Sequence, residues 1–160
     1  MPEVSIVLPS FNSENFIGKT LISVINQTFL DWELIVIDDC SSDGTVEVVK
    51  RYMAGDSRIR LLENDSNQGA AVTRNKGIAS SKGRYLAFID SDDQWDKVKL
   101  RKQLGYMKDA DIAFCYTKYS IQAAERCEVF IDIPASLTRH ELLKNNRICT
   151  STVIIDTDVF

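Results

Sequence analysis

Residues 32–53, WELIVIDDCSSDGTVEVVKRYM, change character partway along. Residues 32–38 are a short apolar, β-branched run of the kind that forms a strand buried in a sheet. GTVEVVKRYM, residues 44–53, reads as a helix, with Asp43 available to cap it near Thr45. Between strand and helix lies a polar turn, Asp38-Asp39-Cys40-Ser41-Ser42-Asp43-Gly44. The same unit recurs on either side. VSIVLP (4–9) is a buried strand, followed by ENFIGKTLISVIN (14–26) with Phe16, Ile17, Leu21, Val24 and Ile25 at helical spacing. RIRLLEN (58–64) is a third strand, GAAVTRNKGIASS (69–81) a third helix and RYLAFID (84–90) a fourth strand. Strand–helix alternation of this kind predicts parallel βαβ units: an α/β fold with a mostly parallel central sheet and helices on both faces.

After Lys97 the pattern loosens. KVKLRKQLGYM reads as a helix, DIAFCYT as a strand, VFIDI as a possible strand, RHELLKNN as a helix and ICTSTVIID as a final strand. No repeat, low-complexity tract or Pro/Gly/Ser linker divides the chain, so residues 1–160 are expected to form a single domain. A strand running straight to Phe160 leaves its edge uncovered, and on that ground the chain is expected to be cut short.

The 160 residues are 44% apolar and 26% charged, which suits one globular domain with a sizeable core. A net charge of −4 offers no basic footprint for nucleic acid and no Lys/Arg cluster for anionic lipid. No apolar run approaches the ~20 residues of a membrane span, and MPEVSIVLPSFN lacks the features of a signal peptide. Cys40, Cys115, Cys127 and Cys149 form no C-x-x-C pair and read as reduced core or near-core thiols of a cytosolic protein, not a zinc site. His140, the one histidine, follows Thr138 at a helix start where Thr138 and Glu141 have capping-box spacing, so it reads as a surface residue.

In an open parallel sheet, ligands bind beyond the carboxyl ends of the strands. Here those ends are Pro9-Ser10-Phe11-Asn12, Asp38 to Gly44, Asn64-Asp65-Ser66-Asn67-Gln68-Gly69, and Asp90-Ser91-Asp92-Asp93. Polar and acidic residues thus converge on one rim of an otherwise apolar sheet. The four carboxylates Asp90, Asp92, Asp93 and Asp96 admit two readings. Two carboxylates ~5 Å apart repel by about 3 kcal/mol at an effective dielectric of 20 and by less than ~1 kcal/mol in water. They are therefore tolerable as solvated groups, with Asp93 or Asp96 capping the helix near Lys97. Alternatively Asp90, at the end of a buried strand, and Asp92 close by hold a divalent cation. Hard oxygen donors favour Mg²⁺ or Mn²⁺ bound with substrate phosphates. G-x-G-x-x-G, G-x-x-x-x-G-K-[ST] and G-x-S-x-G are all absent, which argues against a dinucleotide Rossmann site, a P-loop and a hydrolase elbow.

VSIVLPSFN, SVINQTFLDWELIVIDDCSSDGT, NQGAAVTRNKGI and AFIDSDD stand in the order and spacing of family 2 glycosyltransferases, and CTSTVIID resembles the later strand that precedes the acceptor region. The resemblance implies a GT-A fold with a Rossmann-like nucleotide-binding half. It implies transfer of a sugar, mostly with inversion, from a nucleotide-diphosphate donor, a UDP-sugar being favoured. The expected acceptor is a saccharide or lipid-linked hydroxyl, and the expected setting is cell-surface polysaccharide synthesis in the cytoplasm or at the inner face of the membrane. Residue by residue, it places Pro9, Ser10 and Phe11 at the nucleoside and Asp39 as acceptor of a base N–H. Arg74 falls beside base or phosphate, and Asp90-Ser91-Asp92 matches the D-x-D element. There Asp92 would ligate Mn²⁺ or Mg²⁺ and Asp90 would hold the ribose or sugar side; Asn67 and Gly69 have supporting roles, or simply form a turn before a helix.

The implied reaction is a single displacement at the anomeric carbon, with the metal neutralising charge on the departing diphosphate and a general base taking the acceptor's proton. In the family that base follows a G-G-F-D-E type segment. Nothing similar follows STVIIDTDVF, so the base is expected beyond Phe160. Asp156 and Asp158 qualify by chemistry but match the strand end. Two competing readings are a sugar nucleotidyltransferase, for which Pro9–Asn12 lacks the Gly-rich basic loop, and a non-catalytic nucleotide-sugar-binding or assembly module of a larger synthase.

Overall fold

The computed structural model describes residues 1–123, 127–131 and 133–159. Its central sheet has six strands: β1 (Val4–Ser10), β2 (Trp32–Asp38), β3 (Ile59–Glu63), β4 (Tyr85–Phe88), β5 (Phe114–Cys115) and β8 (Ile154–Asp156), in the order β3-β2-β1-β4-β8-β5. β1 pairs in parallel with both β2 and β4, and β2 with β3. β8 runs antiparallel between β4 and β5. A separate antiparallel hairpin joins β6 (Tyr119–Ala123) to β7 (Cys127–Ile131). Helices α1 (Ile17–Ile25), α2 (Thr45–Met53), α3 (Ala70–Ala79), α4 (Lys99–Ala110) and α5 (Arg139–Lys144) connect and flank the strands.

Side-chain alternation along the central strands divides the core in two. Val4, Ile6, Leu8, Leu34, Val36 and Ala87 pack with Ile17, Leu21 and Val24 of α1, Val48 and Val49 of α2, and Leu100, Leu104 and Met107 of α4. Val7, Ile35, Ile37, Leu86 and Phe88 form the other cluster, with Val153. α3 covers that second face and buries only Thr73 and Gly77. A Cβ on Gly77 would lie 2.5 Å from both Ile37 Cδ1 and Val7 Cγ1, so the absence of a side chain sets how closely α3 approaches the sheet. The expected mostly parallel α/β sheet with helices on both faces is therefore present.

The second half differs from its sequence reading in several places. ICTSTVIID is not one strand: Thr150–Thr152 is a single 3₁₀ turn, and only Ile154–Asp156 pairs with the sheet. The strand expected at DIAFCYT shrinks to Phe114–Cys115, and β6 was not anticipated. Of the supposed near-core thiols, Cys115 is buried and Cys149 half-buried, but Cys40 is exposed, on the β2–α2 loop, where it takes a left-handed conformation (φ 65°). The reading of Cys127 falls outside the described side chains. The Thr138–Glu141 capping box forms, and His140 is exposed on α5.

Candidate functional site

The sheet order reverses at β1, which lies between β2 and β4, so a crevice opens beyond the carboxyl ends of these strands. A cleft of about 470 Å³ occupies it, a size in the usual range for small-molecule sites. Pro9, Ser10, Phe11, Asp39, Arg74, Asp90, Ser91 and Asp92 all line it, together with Asn67, Gly69, Ala70 and Thr73. Four separate stretches of chain are brought to one wall because parallel βα units place every strand-to-helix loop on the same side of the sheet.

Asp39 is 3% exposed. One carboxylate oxygen accepts from Asn64 Nδ2 and the Gln68 N–H, both at 2.8 Å, and the other from the Gly69 N–H at 2.8 Å. Burial pushes its pKa up, but hydrogen bonds from Gln68, Asn64, Thr73 and Gly69 outweigh it and hold the group below the ordinary carboxylate value. Asp39 thereby ties the β3–α3 loop to β2, and the oxygen facing Gly69 keeps capacity for a further donor. Gly69 itself has φ 82°, a conformation that glycine adopts without strain.

The loops after β1 and β2 interlock. Asn12 N donates to Ser41 Oγ (2.9 Å), and Asn12 Oδ1 accepts from the Ser42 N–H (2.8 Å). Asn12 has φ 48°, a left-handed state that asparagine tolerates better than most residues. Asp38, also buried, accepts from the Ser41 N–H (2.8 Å) and Ser41 Oγ (2.6 Å). Asp43 precedes the N-cap of α2, which is Gly44, and accepts from the Thr45 N–H (3.0 Å) and from the Glu14 N–H (3.1 Å). Phe11 is 48% exposed and presents an aromatic face at the cleft.

Across the cleft, Arg74 on α3 forms an ion pair with Asp90 Oδ1 at 2.9 Å. Its buried Nε has no hydrogen-bond partner, so the guanidinium retains donor capacity on the cleft wall. Asp90-Ser91-Asp92 is held by its surroundings: the Ser91 carbonyl accepts from Thr20 Oγ1 (2.8 Å), Ser91 Oγ bonds Ser13 Oγ (2.7 Å), and the Asp90 N–H donates to Ser151 Oγ (2.9 Å). Asp92 is exposed at the cleft.

Asp93 does not cap the following helix. It accepts a hydrogen bond from Ser151 Oγ, and burial, together with the charges of Asp92 and Asp90, pushes its pKa up despite that bond. Asp96 accepts from the Val98 N–H (2.9 Å) just before α4, and neither aspartate side chain caps the helix itself. Asp156 and Asp158 lie at the opposite end of the strands from the cleft. Asp156 pairs with Tyr85, the first residue of β4, and both carboxylates are engaged by Arg84. The antiparallel direction of β8 is what takes them away from the cleft. Sequence reasoning did not single out Ser13, Thr20, Thr73 or Ser151. All are small hydroxyl residues with no motif of their own, and Ser151 is distant in sequence from the turn it touches.

Among the described residues no group of three or more His, Cys, Asp or Glu side chains is gathered into a metal cage. Asp90 and Asp92 on the wall offer the one or two hard oxygen donors that suit an ion completing its shell with water and phosphate. Among the described residues no helix is long and apolar enough to cross a membrane.

Comparison with known proteins agrees with this architecture. The family described as Glycosyl transferase family 2 matches residues 5–155. The putative teichuronic acid biosynthesis glycosyltransferase TuaG of Bacillus subtilis is 45% identical over 157 residues, 97% of this chain and 62% of that protein. WfgD of Escherichia coli, named as a UDP-Glc:α-D-GlcNAc-diphosphoundecaprenol β-1,3-glucosyltransferase, is 41% identical over 96% of this chain and 60% of its own length. The chain thus spans about three fifths of these relatives. The crystal structure of Staphylococcus aureus TarS residues 1–349 superposes with TM-score 0.78 at 25% identity, over 99% of this chain and 48% of that one. TarS in complex with UDP-GlcNAc gives TM-score 0.67 at 28% identity, over 71% and 33%.

Proposed function

The chain belongs to glycosyl transferase family 2 and has its GT-A type fold, and from that premise we propose that the cleft binds a nucleotide-diphosphate sugar, a UDP-sugar in preference, for transfer to an acceptor hydroxyl. The observation that carries this reading is the meeting of Asp39, Arg74 and the Asp90-Ser91-Asp92 turn on one cleft at the sheet's reversal point. The nucleotide-sugar complex of TarS and the UDP-Glc donor in the name of WfgD support it. We assign residues 1–160 to a single donor-binding domain.

The roles follow from the chemistry of each group. Pro9, Ser10 and Phe11 bound the nucleoside, with the exposed ring of Phe11 offering a surface for stacking. Asp39, kept ionised by its loop contacts, accepts an N–H of the base with its remaining lone pair. Arg74, whose Nε is unpartnered, steadies base or phosphate. Asp90 faces the ribose or sugar, and Ser91 anchors the turn. Asp92, with Asp90 beside it, would hold Mn²⁺ or Mg²⁺. A bound divalent ion would supply charge neutralisation for the departing diphosphate.

In the displacement the acceptor oxygen bonds to the anomeric carbon as the bond from that carbon to the diphosphate oxygen breaks, with inversion, and the acceptor's proton passes to a general base. We assign that base to no residue between 1 and 159, since Asp156 and Asp158 lie at the end of the strands opposite the cleft. The names of the relatives favour a saccharide or lipid-linked acceptor in cell-surface polysaccharide synthesis, and we propose peripheral association at the inner membrane face as its setting.

Calorimetric titration with UDP, GDP and dTDP, with and without Mn²⁺, tests the donor site. UDP should bind most tightly, Mn²⁺ should strengthen binding, and Asp92→Ala should abolish the gain from Mn²⁺. Failure of all three nucleotides to bind would sink the proposal.

A further inference from the structure

The acid turn rests on a segment some sixty residues further along the chain. Ser151 is 5% exposed and lies in the 3₁₀ turn Thr150–Thr152, on none of the loops that form the cleft wall. Its hydroxyl is used in both directions. It accepts the Asp90 N–H at 2.9 Å and donates to Asp93 Oδ2, so one side chain links the start of the Asp90-Ser91-Asp92 turn to the carboxylate that follows it.

The 3₁₀ turn is itself held rigidly. Trp95 Nε1 donates to the Ser151 carbonyl at 2.8 Å, and Gln103 Nε2 on α4 donates to the Thr152 carbonyl at 3.0 Å. A hydroxyl on so braced a backbone has little freedom to follow a moving partner. It fixes where the Asp90 amide sits, and with it the direction in which Asp90 and Asp92 leave the turn.

We infer that Ser151 is a positioning residue of the donor site, orienting the two carboxylates that receive the cation through its bonds to the Asp90 N–H and Asp93. This rests on the donor-site reading above. Groups that orient metal ligands typically change metal affinity by about 10- to 100-fold when removed. The loss should therefore appear where the cation contributes and not in the nucleoside contacts, which come from other loops.

The test is titration of the wild-type chain, Ser151→Ala and Ser151→Cys with UDP, with and without Mn²⁺, beside hydrogen exchange at the Asp90 amide. The thiol of Ser151→Cys keeps the volume but is a weak hydrogen-bonding group, so it stands in if the alanine variant fails to fold. In the presence of Mn²⁺ both variants should bind UDP about 10-fold or more weakly, with affinity in its absence changed less than about 3-fold. Exchange of the Asp90 amide should quicken by about 10-fold. Variants that match the wild type in Mn²⁺, or that weaken equally with and without it, overturn the inference and leave the donor site standing. A wild-type chain that binds UDP but is indifferent to Mn²⁺ overturns the inference alone, whereas one that does not bind UDP with or without Mn²⁺ removes the donor-site reading together with it.

Discussion

Asp39 illustrates how one carboxylate serves both fold and site. Its contacts to Asn64, Gln68 and Gly69 tie the β3–α3 loop to the end of β2, and a lone pair is left over for a ligand. Asp39→Ala removes the acceptor and strands two backbone N–H groups, so it should destabilise the domain by about 2–3 kcal/mol in urea denaturation and weaken UDP binding. Because the folded pKa is depressed, the stability that Asp39 contributes is present above its unfolded value of 3.8 and is lost as pH falls through the lower folded value. The difference between wild type and Asp39→Ala should accordingly persist at pH 6 and shrink only as pH falls below 3.8. The aspartates after β4 show that residue type alone does not assign a role: Asp92 is exposed, Asp93 engages Ser151 and Asp96 holds the Val98 N–H before α4.

At the scale of elements, α4 and the turn at 150–152 depend on each other. Lys99 on α4 is 8% exposed, with its ammonium at the Thr152 carbonyl (3.3 Å), in contact with Gln103 Oε1 and 4.6 Å from the Trp95 ring. Burial pulls its pKa from 10.5 to about 7, although Cys115 and Cys149 oppose the shift. Between those two values the unfolded chain binds a proton that the folded chain does not, so stability must rise with pH across that window. Below pH 7 the full cost of the buried charge is carried. Urea denaturation at pH 7, 8 and 9 should show wild-type stability climbing by as much as ~1.4 kcal/mol per pH unit relative to Lys99→Met. Equal slopes in the two proteins would refute the assignment. On the opposite face, α3 lies close to β1 and β2 only because Gly77 carries no side chain, and this close packing places Thr73 and Arg74 at the cleft.

For the whole molecule, the order β3-β2-β1-β4 sets the site at the point where the chain reverses direction across the sheet. Four loops, each short, supply the wall, and a ligand that engages all of them stabilises the fold by mass action. At 100 times its dissociation constant, UDP with Mn²⁺ should add about 2.7 kcal/mol, which for a domain of this size raises Tm by roughly 5–10 °C. Calorimetric melting with and without the pair checks this, and an unchanged Tm at saturation would contradict binding to the folded state. β8 runs antiparallel to both β4 and β5 and carries Asp156 to Arg84 at the end of the strands opposite the cleft. The geometry of the sheet thereby keeps that carboxylate away from the cleft.

The first hundred residues were legible because buried parallel strands such as WELIVID must be apolar throughout, and the polar residues at their ends then have only one rim to occupy. Pro9 to Phe11, Asp39, Arg74 and Asp90 to Asp92 could be named from that pattern and from the four motifs, and they do line one cleft. Beyond α4 the strands that join the central sheet shorten to two or three residues, too few for periodicity to separate strand from turn, and ICTSTVIID reads as a strand throughout although Thr150–Thr152 within it is a 3₁₀ turn. Only the tertiary structure decided which aspartate does what, where β8 sends Asp156, and that Ser151 meets the Asp90 amide. These outcomes depend on contacts between segments some sixty to seventy residues apart. No local propensity or spacing encodes such contacts; they exist only once the sheet has set β4 and β8 side by side.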